Sequence, residues 1–398
     1  RWIEVVSSVG FWRFSLMALM FVRLAMWWLL QHDAPRLIDH YRWHFYHGGD
    51  EVLFFRIAQE ILSGRLEPTT VGVGLPLMMA GLIRFMNTVD YEQVLPAVVI
   101  GNGVLFGLLS VPVIASLGRT LSGSRAQGLL TGAVWALLPY LLWAAFGIHS
   151  QADLLRNAYV SRQMWVSGIT DGPSFLFVTL GMVFALQSQK RSSLTQIGLL
   201  VVGGAWMGWA AAIRFHVLPV AAVAVVAFIW SRQWGAAAWL IAGLLIGFMP
   251  QFWHNAVANG HPLNTPYLNS WLRFDADKGF IFNLKGSPIS PRFLLTNMLA
   301  LARRLPLLVS AGTALAVIGL YAFRRNWQKC GSGSAIIMFS APLASFGLHV
   351  VTYVFAEDPV RFTLPAAALA LPAVMWTGYV VLDEIDRRAR RGRRVATD

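Results

Sequence analysis

The first residues that could do chemistry are two adjacent acids in the stretch HGGDEVLFFRIAQEILSGR, residues 47–65. After two glycines, Asp50 can cap a helix. The apolar positions that follow recur with the helical period: Leu53, Phe54, Ile57, Ala58, Ile61 and Leu62. We expect this helix to lie on the membrane surface and to hold the carboxylates of Asp50 and Glu51 at the outer boundary of the bilayer. A carboxylate there can meet a substrate that is itself a lipid, and a plain helix cap is the alternative interpretation.

Three further stretches place charge at the ends of apolar segments. Asp171 stands directly before the apolar run GPSFLFVTLGMVFAL, with Pro173 in the first turn of the predicted helix. Arg214 and His216 occupy the short turn in AAIRFHVLP, between two very apolar segments. A cation there is costly unless it faces protein, water or an anion. Arg361 follows two acids in FAEDPVRFTLPAAALALPA, at the mouth of another apolar segment. Each of these residues is therefore a helix cap, an interface residue that snorkels, or part of the lining of a cavity.

The composition requires a membrane environment for the elements that position these residues. The chain has 398 residues, of which 56% are hydrophobic and 13% charged, against about 25% charged residues in soluble domains. Segments long enough to cross about 30 Å of hydrocarbon recur along the chain and leave no room for a separate soluble domain. The single Cys330 excludes a disulfide framework. The net charge of +13 favours anionic lipid headgroups as partners over nucleic acid, which would need a soluble basic face.

We predict an all-α polytopic membrane protein with about ten transmembrane helices and one integral membrane domain over residues 1–398. The predicted spans are Phe11–Gln31, Val94–Leu117, Gly128–Phe146, Pro173–Leu186, Ile197–Ile213, Val217–Trp230, Ala236–Phe252, Leu305–Phe323, Ala335–Phe355 and Phe362–Leu382. The first span lacks a cleavage pattern, so we expect it to stay attached. With both termini inside, the basic short loops and the basic tail 383–398 are cytoplasmic, as the positive-inside rule requires. The outer loops are then 32–93, which holds the juxtamembrane helices, 147–171 and 253–304.

Three histidines close to Asp50 also suggest a metal site. His40, His44 and His47 are spaced so that they could share one helical face, and a divalent metal would be the cofactor. The same stretch, YRWHFYHGG, is equally typical of an aromatic anchor at the membrane interface. We therefore assign no metal ligand and keep the three histidines as candidates.

The charged stretches, taken in order, resemble the GT-C superfamily of polyprenyl-phosphate-sugar glycosyltransferases, such as protein O-mannosyltransferases and lipid A aminoarabinose transferases. GDEVLFFRIAQEILSGR is similar to the first outer loop of that family, in which an Asp-Glu pair opens a juxtamembrane helix, and LPLMMAGLIRFM is similar to the second juxtamembrane helix. ITDGPSFLFVTLGMVFAL resembles the family's TDxxLxFFxxLAL span, and DPVRFTLPAAALALPA its RYxLPxxPxLAL span. The stretch TTVGVGLP stands where relatives carry an HPPL-like signature.

The resemblance implies a membrane glycosyltransferase that moves a sugar from a polyprenyl-phosphate donor to a hydroxyl of a glycan, lipid or protein. It matches Asp50 to the catalytic carboxylate, Glu51 to its neighbouring acid and Asp171 to a second acid that faces the cavity. Arg214 stands where relatives often carry a Lys that meets the lipid phosphate. The resemblance also implies that the protein lies in the bacterial inner membrane, with its active site on the periplasmic or extracellular side.

The chemistry suits these residue types. A carboxylate can take the proton of the acceptor hydroxyl as that hydroxyl attacks the anomeric carbon, and one base with in-line attack predicts inversion. The departing phosphate needs positive charge, for which Arg214, Arg361 and Lys278 are the candidates. A lipid-linked sugar transporter or flippase would instead place its acids near the bilayer midplane. A non-catalytic membrane protein of the cell envelope would leave the charged stretches without a purpose.

Overall fold

Helices form most of the part of the chain that the structure describes. The structure is a computed structural model, and it describes residues 8–33, 50–69, 71–142, 171–189, 191–264, 272–275, 277–282, 291–304, 317, 332–351 and 359–395. The helices before residue 190 are α1 (Val9–Asp33), α2 (Asp50–Leu62), α3 (Gly74–Met86), α4 (Tyr91–Ile100), α5 (Gly107–Ser122), α6 (Arg125–Leu142) and α7 (Asp171–Ser188). A π-helical segment, Gly101–Phe106, joins α4 to α5.

The second half continues with α8 (Ser193–Ile213), α9 (Leu218–Trp230), α10 (Trp234–Ala258), α11 (Pro291–Arg304), α12 (Ser332–Val350) and α13 (Pro359–Val395). A 3-10 turn, Phe215–Val217, connects α8 to α9. The prediction of an all-α chain missed one small feature, an antiparallel hairpin of β1 (Leu272–Asp275) and β2 (Gly279–Phe282). Four residues a strand are too few to build a core, so the fold remains helical.

Five helices in the described residues are long and apolar enough to cross a membrane, which makes the chain an integral membrane protein. They contain the segments Val9–Met26, Ser193–Ile213, Trp234–Ala258, Gly333–Val350 and Pro365–Ile385, all of which overlap predicted spans. The predicted total of ten spans is not confirmed. The helices α5 and α9 are shorter, and the predicted span Leu305–Phe323 lies outside the described residues except for position 317.

The helix α7 lies at the centre of the bundle. Fifteen of its 18 residues are buried, so it contacts protein on every side and has no amphipathic face. It packs mainly against α8 and α5, with Phe177 stacked on Trp206 at 4.9 Å between ring centroids. Because of this burial, any charge at an end of α7 must find its partner within the protein.

Glycines allow α8 and α10 to approach closely. A Cβ added to Gly204 or Gly208 on α8 would collide with the carbonyl oxygens of Leu240 and Leu244 on α10. The reverse holds for Gly243 and Gly247 on α10, which face the carbonyls of Val201 and Ala205. Both helices therefore carry small residues four positions apart at their crossing, the pattern by which helices pack in lipid.

The amphipathic helix predicted after Asp50 is present as α2. Phe54, Ile57 and Ala58 are buried, as the helical period predicts, and Phe55 is buried as well. This face packs against α3 and α4, with Phe55 in edge contact with Tyr91 at 5.2 Å between ring centroids. The apolar face of α2 is thus covered by the protein itself, whereas the sequence interpretation placed it on lipid.

Candidate functional site

A buried ion pair joins two of the predicted site residues. Asp171 begins α7, and Arg214 directly follows the last residue of α8. The Nη1 atom of Arg214 lies 2.8 Å from Oδ1 of Asp171. Asp171 is 2% exposed and Arg214 is 8% exposed. Two opposite charges this deeply buried compensate each other's loss of hydration, which an isolated charge could not do.

Local sequence explains why both residues sit at this point. Pro173 is in the first turn of α7, where its missing N–H costs no hydrogen bond, so the helix begins at Asp171. The backbone N–H of Arg214 donates to the carbonyl of Ala210 and ends α8, after which the chain turns through Phe215–Val217 into α9. The start of α7 and the end of α8 therefore meet at one end of the bundle, which we call the site end.

Two histidines stack beside the ion pair. The rings of His216 and His349 are 4.7 Å apart between centroids and 13° from parallel. Nδ1 of His349 lies 2.7 Å from the carbonyl oxygen of Ser345 on α12, so Nδ1–H donates in the neutral ring. His216 belongs to the turn between α8 and α9. Burial lowers the pKa of His216 well below the usual 6.5. The charges of Arg214 and His349 lower this pKa further, whereas the charge of Asp171 raises it. We infer that His216 is neutral at physiological pH.

These residues line a small cavity at the site end. Its volume is about 20 Å³, which is enough for about one ordered water molecule. Five elements contribute its walls, namely α7, the turn after α8, α9, α12 and α13. The lining residues are Asp171, Ser174, Phe175, Val178, Arg214, His216, Val217, Val220, Ser345, His349, Pro365 and Leu369. A sugar phosphate does not fit this volume, so a substrate would require the cavity to open.

The first outer loop reaches the same end of the bundle. A Cβ on Gly74 would lie 2.6 Å from Cγ1 of Ile213, and one on Gly72 would collide with the carbonyl of Ala212. Only glycine permits this approach of the loop to the last turn of α8, immediately before Arg214. The segment that follows α2 is therefore held next to the ion pair.

A buried chain of hydrogen bonds fixes this loop from the other side. The backbone N–H of Val73 donates to Oε1 of Gln251 at 2.9 Å, and Nε2 of Gln251 donates to Oδ1 of Asn255 at 2.8 Å. Nδ2 of Asn255 then donates to the carbonyl of Pro262 at 3.0 Å. Gln251 and Asn255 are fully buried on α10, so these bonds satisfy polar groups that would otherwise cost stability.

The remaining predicted site residues are only partly described. Asp50 and Glu51 are the first two residues of α2, but their side chains lie outside the described part, as does that of Arg361 on α13. Position 361 is one helical turn before Pro365, which lines the cavity. Lys278 is exposed in the turn of the hairpin. The metal candidates His40, His44 and His47 lie outside the described residues, and among the described ones no group of three or more His, Cys, Asp or Glu residues could hold a metal.

Several buried polar residues were not predicted, among them His349, Ser345 and Arg23. His349 and Ser345 lie near the end of α12, and Arg23 lies inside α1 with 1% exposure. Nη1 of Arg23 donates to the carbonyl oxygens of Trp135 and Ala136 at 2.9 and 3.3 Å. Sequence alone could have identified His349 and Arg23, because a histidine or arginine inside an apolar segment indicates a partner within the protein.

Comparisons with known proteins support the fold. No protein-family model matches the chain, and no curated protein sequence matches it. Among solved structures, the fold is similar to that of the Archaeoglobus fulgidus oligosaccharyltransferase in the apo form, with a TM-score of 0.50 and 11% sequence identity. The match covers 94% of this chain and 52% of the other, so the chain spans about half the length of that protein. The likeness extends over nearly all of the chain and concerns its architecture.

Proposed function

We propose that the chain is a membrane glycosyltransferase that takes a sugar from a polyprenyl-phosphate donor. The observation that carries the proposal is the buried pair of Asp171 and Arg214 at the site end of a fold similar to that of an oligosaccharyltransferase. A buried ion pair adds little net stability to a helix bundle, so stability alone does not explain an acid and a guanidinium at the wall of a cavity. Clusters of this kind are more often found where charge is needed for chemistry.

The general base in this proposal is Asp50, with Glu51 as its neighbour. Asp50 begins α2, and the loop after α2 packs against the residues that precede Arg214. The base removes the proton of the acceptor hydroxyl as the oxygen attacks the anomeric carbon, and the bond from that carbon to the phosphate oxygen breaks. A positioned base contributes about 10²- to 10⁴-fold to such a rate. Attack from the side opposite the phosphate inverts the anomeric carbon.

Arg214 stabilises the phosphate as it departs, and Asp171 orients Arg214. A guanidinium has five N–H donors in a fixed plane, and the contact with Asp171 involves Nη1. A carboxylate that holds one edge of the guanidinium limits its rotation and leaves the group preorganised for an anion. Arg361 and Lys278 are further cations for the same phosphate. The departing group is already a good leaving group, so the mechanism requires no general acid.

In cellular terms, the donor is a lipid in the bilayer and the acceptor is a glycan, lipid or protein hydroxyl. We place the reaction at the outer face of a bacterial inner membrane, because the charge of the short loops assigns the site end to that side. The position of the ion pair argues against the flippase alternative. Asp171 and Arg214 lie at helix ends, whereas a transport pathway would need charges near the middle of the spans.

The test uses the purified chain in proteoliposomes with a panel of synthetic polyprenyl-phosphate hexoses and pentoses and an extract of envelope glycolipids as acceptor. We expect consumption of one donor, release of polyprenyl phosphate, and a loss of at least about 100-fold in Asp50→Asn. Glu60→Gln on the same helix is the matched control, because Glu60 pairs with Arg56 at 3.5 Å on the outer side of α2. Full turnover in Asp50→Asn would eliminate this residue as the base. Movement of a labelled donor across the bilayer without bond cleavage would replace the transferase by the flippase.

A further inference from the structure

The helix α11 has three distinct faces. At 100° per residue, the positions of Asn297 and Leu301 lie close together on one face, and both residues are buried. The next arc, about 140° wide, carries Leu294, Leu295, Met298, Leu299 and Ala302, all exposed. The third arc carries Arg303 and Thr296, which are also exposed. One side of α11 is therefore attached to protein, one is apolar and uncovered, and one is polar.

The attached face fixes α11 at the end of a membrane-spanning helix. Nδ2 of Asn297 donates to the carbonyl oxygen of Val350 at 2.7 Å, and Asn297 is 1% exposed. Val350 is the last residue of α12, which contains the candidate span Gly333–Val350. A span ends where the hydrocarbon ends, so this hydrogen bond places α11 at the level of the membrane boundary.

The apolar arc is large and has no counterpart among the described residues. Leu295 is 67% exposed and Leu299 is 48% exposed, and neither faces the bundle. The 14 described residues of this helix extend over about 21 Å, less than the roughly 30 Å of hydrocarbon that a transmembrane helix crosses. A helix with an apolar arc beside a polar arc that carries a cation is typical of helices that lie in the plane of the interface.

We propose that α11 binds the bilayer surface, with the apolar arc between the acyl chains and Arg303 among the headgroup phosphates. The partner is the lipid surface itself, for which anionic headgroups suit the cation. The contact has a consequence for the site end, because the bond from Asn297 to Val350 holds the residue next to His349. The membrane thus supports the end of α12 that carries one wall of the cavity. This inference does not depend on the reaction proposed above.

The test compares the two exposed arcs of α11 within one bilayer. In a Cys330→Ser background, single cysteines replace Leu295 or Leu299 on the apolar arc, and Thr296 or Arg303 on the polar arc. Each carries an environment-sensitive NBD fluorophore, and the proteins are placed in nanodiscs of phosphatidylcholine and phosphatidylglycerol with or without doxyl-labelled lipid. We expect at least threefold quenching by the doxyl lipid at 295 and 299, and less than half that quenching at 296 and 303.

Three outcomes would overturn the proposal. Equal quenching at all four positions would show that the apolar arc is not directed at lipid. A blue-shifted fluorophore at 295 that the doxyl lipid does not quench would mean that another protein segment covers the arc. Disulfide formation between two Leu295→Cys chains in the same membrane would assign the arc to a second copy of the chain.

A second measurement tests the link to α12. We expect Leu295→Glu to increase hydrogen–deuterium exchange at residues 345–351 in nanodiscs by at least threefold, because a carboxylate in the acyl region lifts α11 and weakens its bond to Val350. Thr296→Glu is the matched control and should leave that exchange unchanged. Equal exchange in both variants would show that the bilayer does not hold the end of α12.

Discussion

Replacement of Arg214 distinguishes an internal ion pair from a side chain that merely snorkels to the headgroups. Nη1 of Arg214 is 2.8 Å from Oδ1 of Asp171, and the two side chains are 10% and 2% exposed. At an effective dielectric constant of about 20, two unit charges at this distance attract by roughly 6 kcal/mol, much of which offsets the lost hydration. Removing only the cation leaves a buried carboxylate without that compensation. We expect Arg214→Met to lower the free energy of unfolding by about 3–5 kcal/mol.

The assay is a double-mutant cycle in mixed micelles, with SDS as the denaturant. Asp171→Leu should cost a similar 3–5 kcal/mol, because it leaves the guanidinium buried without its anion. The double variant replaces both charges by apolar side chains and should return to within about 1–2 kcal/mol of the unmodified chain. A loss below about 1 kcal/mol in both single variants is the value for exposed pairs and would refute the buried pair.

The same four proteins separate stability from catalysis. If the pair serves the proposed transfer, the double variant regains its stability but transfers no sugar. Recovery of both stability and turnover would remove Asp171 and Arg214 from the site and leave them as a structural element of the bundle.

Three more predictions test the packing, the titration and the topology. Gly74→Ala should lower the free energy of unfolding by about 1–3 kcal/mol in the SDS titration, because the new Cβ meets the backbone of α8. Gly81→Ala is the control and should not destabilise the protein, because a Cβ at Gly81 would have nothing within 4 Å. Equal losses in both variants would contradict the close approach of Gly74 to α8. The pKa of His216 in the folded protein is lowered, so protonation favours the unfolded state as the pH falls below about 6.5. The free energy of unfolding should therefore decrease from pH 7.5 to 5.5, with a slope of up to about 1.4 kcal/mol per pH unit. An unchanged slope in His216→Gln would exclude this residue as the cause. Single cysteines at Ser192 and Leu263 should react with an impermeant reagent from opposite sides of the membrane, and reaction from the same side would overturn the predicted topology.

The sequence predicted the start and end points of the central helices well. Pro173 indicated that a helix begins near Asp171, and the charged turn at Arg214 separated two apolar runs, as the structure confirms. Such signals are local, because a proline or a charge changes the stability of the turn in which it stands. The same reasoning found α2 from the period of its apolar residues.

The pairing of distant residues could not be predicted. Asp171 and Arg214 are far apart along the chain, and hydropathy does not say which helices are neighbours. For that reason the sequence leaves the partner of Arg214 open among protein, water, lipid headgroups and the donor phosphate, and it does not select Asp171. His349 was missed for the same reason, since its stacking on His216 depends on how α12 packs against the turn. The burial of Phe55 could not be predicted either, because its partner Tyr91 belongs to another helix.

The glycine contacts between α8 and α10 also limit how far Arg214 can move along its helix axis in the proposed reaction. A slip of one residue between the two helices would carry Arg214 about 1.5 Å along the axis. The slip would also push side chains into the carbonyls that now face Gly204 and Gly243. The position of the Arg214 guanidinium along the helix axis is thus fixed when the helices assemble, before any ligand binds. In the proposed transfer, a cation held in this way has a small reorganisation energy, because it need not move as negative charge develops beside it.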